Sequence, residues 1–205
     1  MTLSFWLILL AVLSYGLLHT LLASQKAKSL ARNLFGVKAE RIYRLIYNFV
    51  AIITLLPILL LPVLLIDQEI YTIPIPWVFL TLIIQCLAIV ALLLGLKQTG
   101  MTSFIGLRQL LLPEDTSPPR LITNGFYRYV RHPLYTAGLV IIWLIPTMTC
   151  NLLALNLGLT IYIIVGAYFE ERKLLVEFGD AYAEYRRRTP MLIPGLRMPS
   201  KNSKS

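Results

Sequence analysis

The chain reads as an all-α, polytopic membrane helix bundle, and three observations predict it. Of its 205 residues 57% are hydrophobic and only 14% charged, with a mean hydropathy of +0.71, which excludes an ordinary water-soluble domain. Several apolar windows approach the roughly 20 residues that a helix needs to cross the hydrocarbon core. The basic residues gather in alternate connections, as the positive-inside rule requires of a multi-pass chain.

The elements follow in order. Residues 2–22, 42–66 and 77–96 form three apolar windows of spanning length. Residues 134–149 and 152–169 form two shorter ones, separated by Cys150 and Asn151, and predict a tight helical hairpin. Pro146 would kink the first arm, and a neighbouring helix must then satisfy the carbonyl that it frees. About five spans result, followed by a polar C-terminal helix that runs to Thr189 and Pro190, with Gly179 marking a possible bend. No strands are expected.

Charge gives the orientation. Residues 25–41 hold Lys26, Lys28, Arg32, Lys38 and Arg41 against Glu40 alone, whereas residues 67–76 hold two acids and no base. Residues 97–132 carry five bases and two acids, the turn at Cys150 and Asn151 carries none, and the tail from Glu170 carries eight bases. The N-terminus is therefore expected outside, with the C-terminus and both polar clusters cytoplasmic. No basic residue precedes the first window and a basic run follows it, which fits an uncleaved span better than a signal peptide.

The net charge of +9 is spread over membrane-flanking loops, so topology and anionic headgroups explain it without nucleic acid. Cys86 and Cys150 lack metal-ligand or redox spacing, and neither a metal site nor a disulfide framework is expected. One domain over 1–198 is anticipated, with scaffold helices in 1–96, a functional core in 97–195 and a disordered tail over 199–205. Pro113, Pro118 and Pro119 prevent residues 98–124 from being one helix. Residues 101–113 read as an interfacial stretch, and Thr123, Asn124 and Gly125 as a turn.

Two polar clusters flank the hairpin. The first, NGFYRYVRHPLYTAG over 124–138, sets Tyr127, Arg128, Tyr129, Arg131 and His132 against the start of a helix. Basic and aromatic residues are ordinary at a membrane interface, but His132 before Pro133 puts ring nitrogens beside helix-start donors, a place for an anion such as a carboxylate. The second, FEERKLLVEFGDAYAEYRRR over 169–188, sets Glu170 and Glu171 at the end of a span that prefers bases. At 100° per residue Glu171, Leu174, Phe178, Tyr182 and Tyr185 share one face. Acids and aromatics together suit an ammonium or sulfonium. The pair of clusters therefore suits a zwitterionic, amino-acid-like ligand. No Gly-rich phosphate loop and no Ser/His/Asp triad is present. His19, near the end of the first span, is expected to be an interfacial histidine without a chemical role.

The pairing of RHP-x-Y-x-x-G (Arg131 to Gly138) with EE (Glu170, Glu171), FG-x-x-Y-x-x-Y (Phe178 to Tyr185) and a closing proline resembles the isoprenylcysteine carboxyl methyltransferase and phospholipid methyltransferase superfamily. The resemblance covers about residues 95–195. HTLLAS and ERIYRLIYN in the N-terminal half resemble a bacterial branch with methanethiol S-methyltransferases and denitrification-associated membrane proteins.

The resemblance implies a membrane enzyme that moves a methyl group from S-adenosylmethionine to a lipophilic or small apolar acceptor by direct displacement. It further implies that Gly125, Tyr127, Arg131, His132, Tyr135, Gly138, Glu170 and Glu171 line the cofactor site. Tyr182, Tyr185 and Arg186 would stand near the acceptor and the transferred methyl. A thiol, an isoprenylated thiol carboxylate and a lipid amine all remain open as acceptors. Sterol-type reductases using NADPH share the motif, and a non-enzymatic protein that keeps the scaffold is a further alternative.

Overall fold

The structure is a computed structural model, and it describes residues 2–99 and 120–196. Seven α-helices are described: α1 (Leu3–Ala23), α2 (Gln25–Phe35), α3 (Val37–Leu64), α4 (Trp77–Thr99), α5 (Pro133–Trp143), α6 (Cys150–Phe178) and α7 (Asp180–Arg188). Strands β1 (Glu69–Thr72) and β2 (Thr147–Thr149) and a 3-10 turn, Gly125–Arg128, complete the set. Residues 3–23, 45–64, 77–99 and 150–178 lie in helices long and apolar enough to cross a bilayer. The chain is an integral membrane helix bundle. The interfacial stretch predicted for 101–113 and the tail predicted for 199–205 lie outside the described residues.

α1 and α6 form the centre of the bundle. Phe5, Ile8, Val12 and Tyr15 of α1 pack with Ala154 and Leu155 of α6 and Ile58 of α3 in one buried cluster. The two helices approach closely because each offers a glycine to the other. A Cβ on Gly158 would sit 2.8 Å from Val12, and a Cβ on Gly16 would sit 2.9 Å from the Tyr162 ring. Without a hydrophobic drive between helices in lipid, such small-residue approaches supply the packing. α5 packs mainly on α4 instead, so the two arms of the predicted hairpin lean on different partners.

The hairpin departs from expectation. α5 stops at Trp143 after 11 residues, roughly 16 Å at 1.5 Å per residue, too short to cross the bilayer alone. Residues 147–149, expected as helix, form β2 and pair antiparallel with β1, Glu69 opposite Thr149 and Thr72 opposite Thr147. The absence of strands was therefore a wrong expectation, and Pro146 is the physical reason. It ends the helical path, and the extended residues beyond it find backbone partners in the 67–76 connection, with Ile73 N–H donating to Pro146 O at 2.8 Å.

Cys150 and Asn151, expected as a turn, instead begin α6. The Thr149 hydroxyl caps this helix by accepting from Leu152 N–H, and Asp67 accepts from Asn151 N–H at 2.9 Å. The carbonyls freed near Pro146 are satisfied as anticipated: Ile142 O accepts from Asn156 of α6 at 2.7 Å, and Ile141 O accepts from Gln85 of α4 at 2.8 Å.

At the opposite, basic end, α6 continues well past its apolar stretch and ends at Gly179, whose φ of 54° breaks the helix. The bend is therefore real, and the face read as continuous from Glu171 to Tyr185 is split between α6 and α7. α2 has no counterpart in the sequence reading. It is a short helix carrying Lys26, Lys28 and Arg32, capped by the Ser24 hydroxyl through Ala27 N–H.

Candidate active site

Four chain segments converge at the basic end: the 3-10 turn with the start of α5, the last turns of α6, α7, and the extended residues after it. Pro190 and Met191 run beside the start of α5, where their carbonyls accept from Arg131 N–H at 2.9 Å and His132 N–H at 3.1 Å. Leu192 O accepts from the Thr136 hydroxyl at 2.7 Å. The donors just ahead of α5 are thus occupied by the chain itself, which fixes Arg131 and His132 against α6.

Glu171 is the hub. Its side chain is 6% exposed, and Arg131 reaches Oε1 through Nε and Nη2, both at 2.6 Å. His132 Nε2 lies 3.3 Å from the same oxygen, and Arg186 Nε lies 3.4 Å from Oε2. Arg131 also donates to the carbonyls of Arg186 and Thr189, clamping the end of α7. A buried carboxylate between two guanidiniums and an imidazole is charge-compensated, so Glu171 holds the corner together.

Glu170, its neighbour in sequence, points elsewhere. Its side chain is 46% exposed and accepts from the Tyr135 hydroxyl at 2.9 Å. The Tyr135 ring stacks on His132 with centroids 5.3 Å apart, and His132 Nδ1 lies 3.6 Å from Glu170. Among the described contacts Glu170 meets no Lys or Arg, so its charge is available to a cation. Arg186, nearly half exposed beside Glu171, offers the opposite charge.

The tyrosines take different places. Tyr185 donates to the Tyr127 carbonyl at 2.6 Å and so ties α7 to the 3-10 turn. Tyr182 is 1% exposed, its ring lies 5.9 Å from that of Tyr185, and its hydroxyl is buried without a hydrogen-bond partner among the described residues. Burial pushes the Tyr127 phenol up to about 12, helped by the Glu170 charge. Burial likewise raises Tyr182 and Tyr185. The fold thus favours the neutral phenol at all three.

The glycines separate as well. Gly125 has a φ of 60°, and a Cβ there would meet the Gln98 amide at 2.6 Å. Its position is explained by the turn, which Gln98 braces by donating to Asn124. Gly125 also lines a surface cavity of about 670 Å³ with Lys97, Gln98 and Arg128, apart from the carboxylates. Gly138 of α5 and Gly166 of α6 would each place a Cβ in open space, leaving room on both helices near Tyr135 and Glu170.

The structure thus gathers Arg131, His132, Tyr135, Glu170, Glu171, Tyr182, Tyr185, Tyr127 and Arg186 into one corner, with Gly138 at its edge and Gly125 to one side. Sequence reasoning missed the 189–192 strap, whose only signal was the closing Pro190, and the bracing Gln98. It also treated the two acids as equivalent. A half-exposed carboxylate on Glu170 and a half-exposed guanidinium on Arg186 offer opposite charges to a zwitterionic ligand, whereas the Tyr182 hydroxyl is sealed beneath them.

The sequence is similar to known proteins. Methanethiol S-methyltransferase 1 of Bradyrhizobium diazoefficiens is 44% identical over 84 residues, 41% of this chain and 30% of that protein. Methanethiol S-methyltransferase of Crocosphaera subtropica is 42% identical over 92 residues, 43% of this chain and 36% of its own length. Protein-S-isoprenylcysteine O-methyltransferase of Schizosaccharomyces pombe is 35% identical over 79 residues, 36% of this chain and 33% of that protein. The chain thus spans only about a third of the length of the curated relatives it matches. No solved structure gives a significant match. The family profile described as phospholipid methyltransferase matches residues 76–181, from α4 through the RHP turn and α5 to the start of α7. That stretch exceeds half of the chain and contains the charge corner's core, and the chain belongs to the phospholipid methyltransferase family.

Proposed function

We propose that the chain is an integral membrane methyltransferase that takes a methyl group from S-adenosylmethionine and delivers it to a small lipophilic thiol reaching the site from the bilayer. The observation that carries this reading is the split between the two adjacent acids. Glu171 is consumed by Arg131, His132 and Arg186, while Glu170 keeps a carboxylate that is 46% exposed and accepts from Tyr135. The names of the bacterial relatives favour a thiol over the isoprenylated carboxylate or lipid amine that the fold would also admit.

Glu170, oriented by the Tyr135 hydroxyl, would hold the ammonium of the cofactor's amino-acid part, and Arg186 its carboxylate. When bound, the cofactor supplies a methyl group on a sulfonium, already an excellent leaving group. The protein's work is then to position, to exclude water and to hold the acceptor in line. The neutral Tyr182 hydroxyl, buried without a partner among the described residues, would donate to the cofactor or the acceptor only where the ligand displaces the side chains that cover it. The basic end faces the cytoplasm in this reading, with the N-terminus outside and a bacterial inner membrane as the setting.

The test is a methyl-transfer assay on the detergent-purified protein, with S-adenosylmethionine and three acceptors: ethanethiol, a farnesylated cysteine and phosphatidylethanolamine. Ethyl methyl sulfide in the headspace is the expected product. Methylation of the lipid or the farnesylated cysteine alone would overturn the acceptor. Binding of NADPH with no methyl transfer would overturn the reaction class.

A further inference from the structure

A second polar cluster lies deeper in the bundle and has no part in the corner just described. His19, four residues before the end of α1, is gripped from two other helices. Tyr162 Oη of α6 lies 2.5 Å from Nδ1, and Tyr47 Oη of α3 lies 2.5 Å from Nε2 and 2.9 Å from Nδ1. Tyr15, one turn earlier, packs its ring 5.6 Å from His19 and 5.7 Å from Tyr162. The site is built for this. Any side chain at Gly16 would push the Tyr162 ring off α1. Three phenols around an imidazole inside a membrane bundle cost desolvation, and apolar rings would pack as well, so the arrangement calls for a use.

The cluster looks toward the charge corner. Tyr162, Gly166 and Glu170 follow one another at four-residue steps along α6, and the space at Gly166 is open. Tyr162 and Glu170 are roughly 12 Å apart along the helix axis by the 1.5 Å rise. Tyr47 and Tyr162 also stand close enough to Tyr135, the partner of Glu170, to interact with it electrostatically. The titratable groups facing His19 are Tyr15 from α1, Tyr47 with Tyr43 beside it from α3, and Tyr162 from α6. Tyr135 and Glu170 stand beyond them.

We propose that Tyr162 and His19 remove the proton from the acceptor thiol, Tyr162 meeting the thiol and His19 receiving the proton through it. This rests on the methyl-transfer reading above. As the acceptor sulfur forms its bond to the methyl carbon, the methyl–sulfonium bond breaks and its electron pair stays on the departing sulfur. The thiol proton passes to the Tyr162 oxygen while the Tyr162 proton passes to His19 Nδ1. The imidazolium then releases one proton to water. The need is chemical: the thiolate is the nucleophile, and thiols near pKa 8.5 or above are mostly protonated at neutral pH, the more so beside lipid. Tyr47 holds the ring so that Nδ1 faces Tyr162, and His19 acts as a positioning residue and proton store behind the catalytic phenol.

The experiment compares wild type, His19→Gln and Tyr162→Phe for S-adenosylhomocysteine binding and for kcat/KM with ethanethiol between pH 6 and 9.5. His19→Gln should bind S-adenosylhomocysteine like wild type, lose about 100-fold or more in kcat/KM at pH 7, and recover about tenfold per pH unit as solution thiolate forms. Tyr162→Phe, which keeps its ring against Gly16, should follow the same slope and carries the test if His19→Gln does not bind. With only two histidines in the chain, ring ¹⁵N signals provide a readout independent of turnover, and the His19 Nδ1 signal should shift in Tyr162→Phe. Wild-type turnover and pH profile in both variants, or a loss uniform across pH, would overturn the proposal alone. A wild type that fails to bind S-adenosylhomocysteine, or that leaves ethanethiol unmethylated, would overturn the underlying reading and this inference with it.

Discussion

The two ends of α6 treat polar residues in opposite ways. At the end near the β1–β2 ladder, Asn151 and Asn156 are almost fully buried, uncharged, and bonded to carbonyls that helix breaks leave free: Leu65 O, Ile66 O and Ile142 O. At the basic end, Glu170 and Glu171 are charged, and only one of them is buried and compensated. The first end repairs backbone, as the bilayer demands of any interrupted helix. The second leaves Glu170 without a Lys or Arg partner among the described residues. An unanswered charge is costly near lipid, so the difference between the ends separates structure from function more cleanly than polarity does.

The largest expected effect falls on the compensated acid. Glu171→Ala leaves the Arg131 guanidinium buried without its partner and should cost about 3–5 kcal/mol of stability, read as a large drop in melting temperature in detergent. Glu170→Gln should leave the melting temperature nearly unchanged while weakening S-adenosylhomocysteine binding about 10- to 100-fold, the value of a hydrogen bond to a charged group. If the two substitutions had interchangeable effects, the division between the neighbours would be broken.

Asn156→Leu should be milder, about 1 kcal/mol of stability from the unsatisfied Ile142 carbonyl, with ligand binding intact. The smallest effect is a pH response. Tyr127 has a folded-state pKa of about 12 against an ordinary 10.0, so its neutral form is favoured by the fold. Its contribution is fully present below pH 10 and is lost as pH rises from 10 through 12. Absorbance at 295 nm should show its ionisation delayed in the folded protein, and Glu170→Gln should bring it earlier because the carboxylate is the second cause of the shift.

Much of this was legible because it is written locally. Apolar runs marked the spans, Gly179 marked the break after α6, and Pro146 announced freed carbonyls that Asn156 and Gln85 do satisfy. The RHP and EE motifs marked the corner. What could not be read depends on pairing across distance. Adjacent acids look alike in a string, and only the meeting of Glu171 with Arg131, 40 positions away, tells them apart. The β1–β2 ladder is made of strands of four and three residues, too short to carry a readable pattern, and it forms because Pro146 leaves extended backbone needing partners. His19 reads as an ordinary interfacial residue because Tyr162, 143 positions on, is what gives it a setting.

The most direct measurement is calorimetric titration of the detergent-purified protein with S-adenosylhomocysteine, for wild type and Glu170→Gln side by side. Saturable binding to wild type and an affinity loss of about 10- to 100-fold in the variant are expected. Equal affinity in both proteins, or no binding to a folded wild type, would contradict the cofactor-binding role of Glu170.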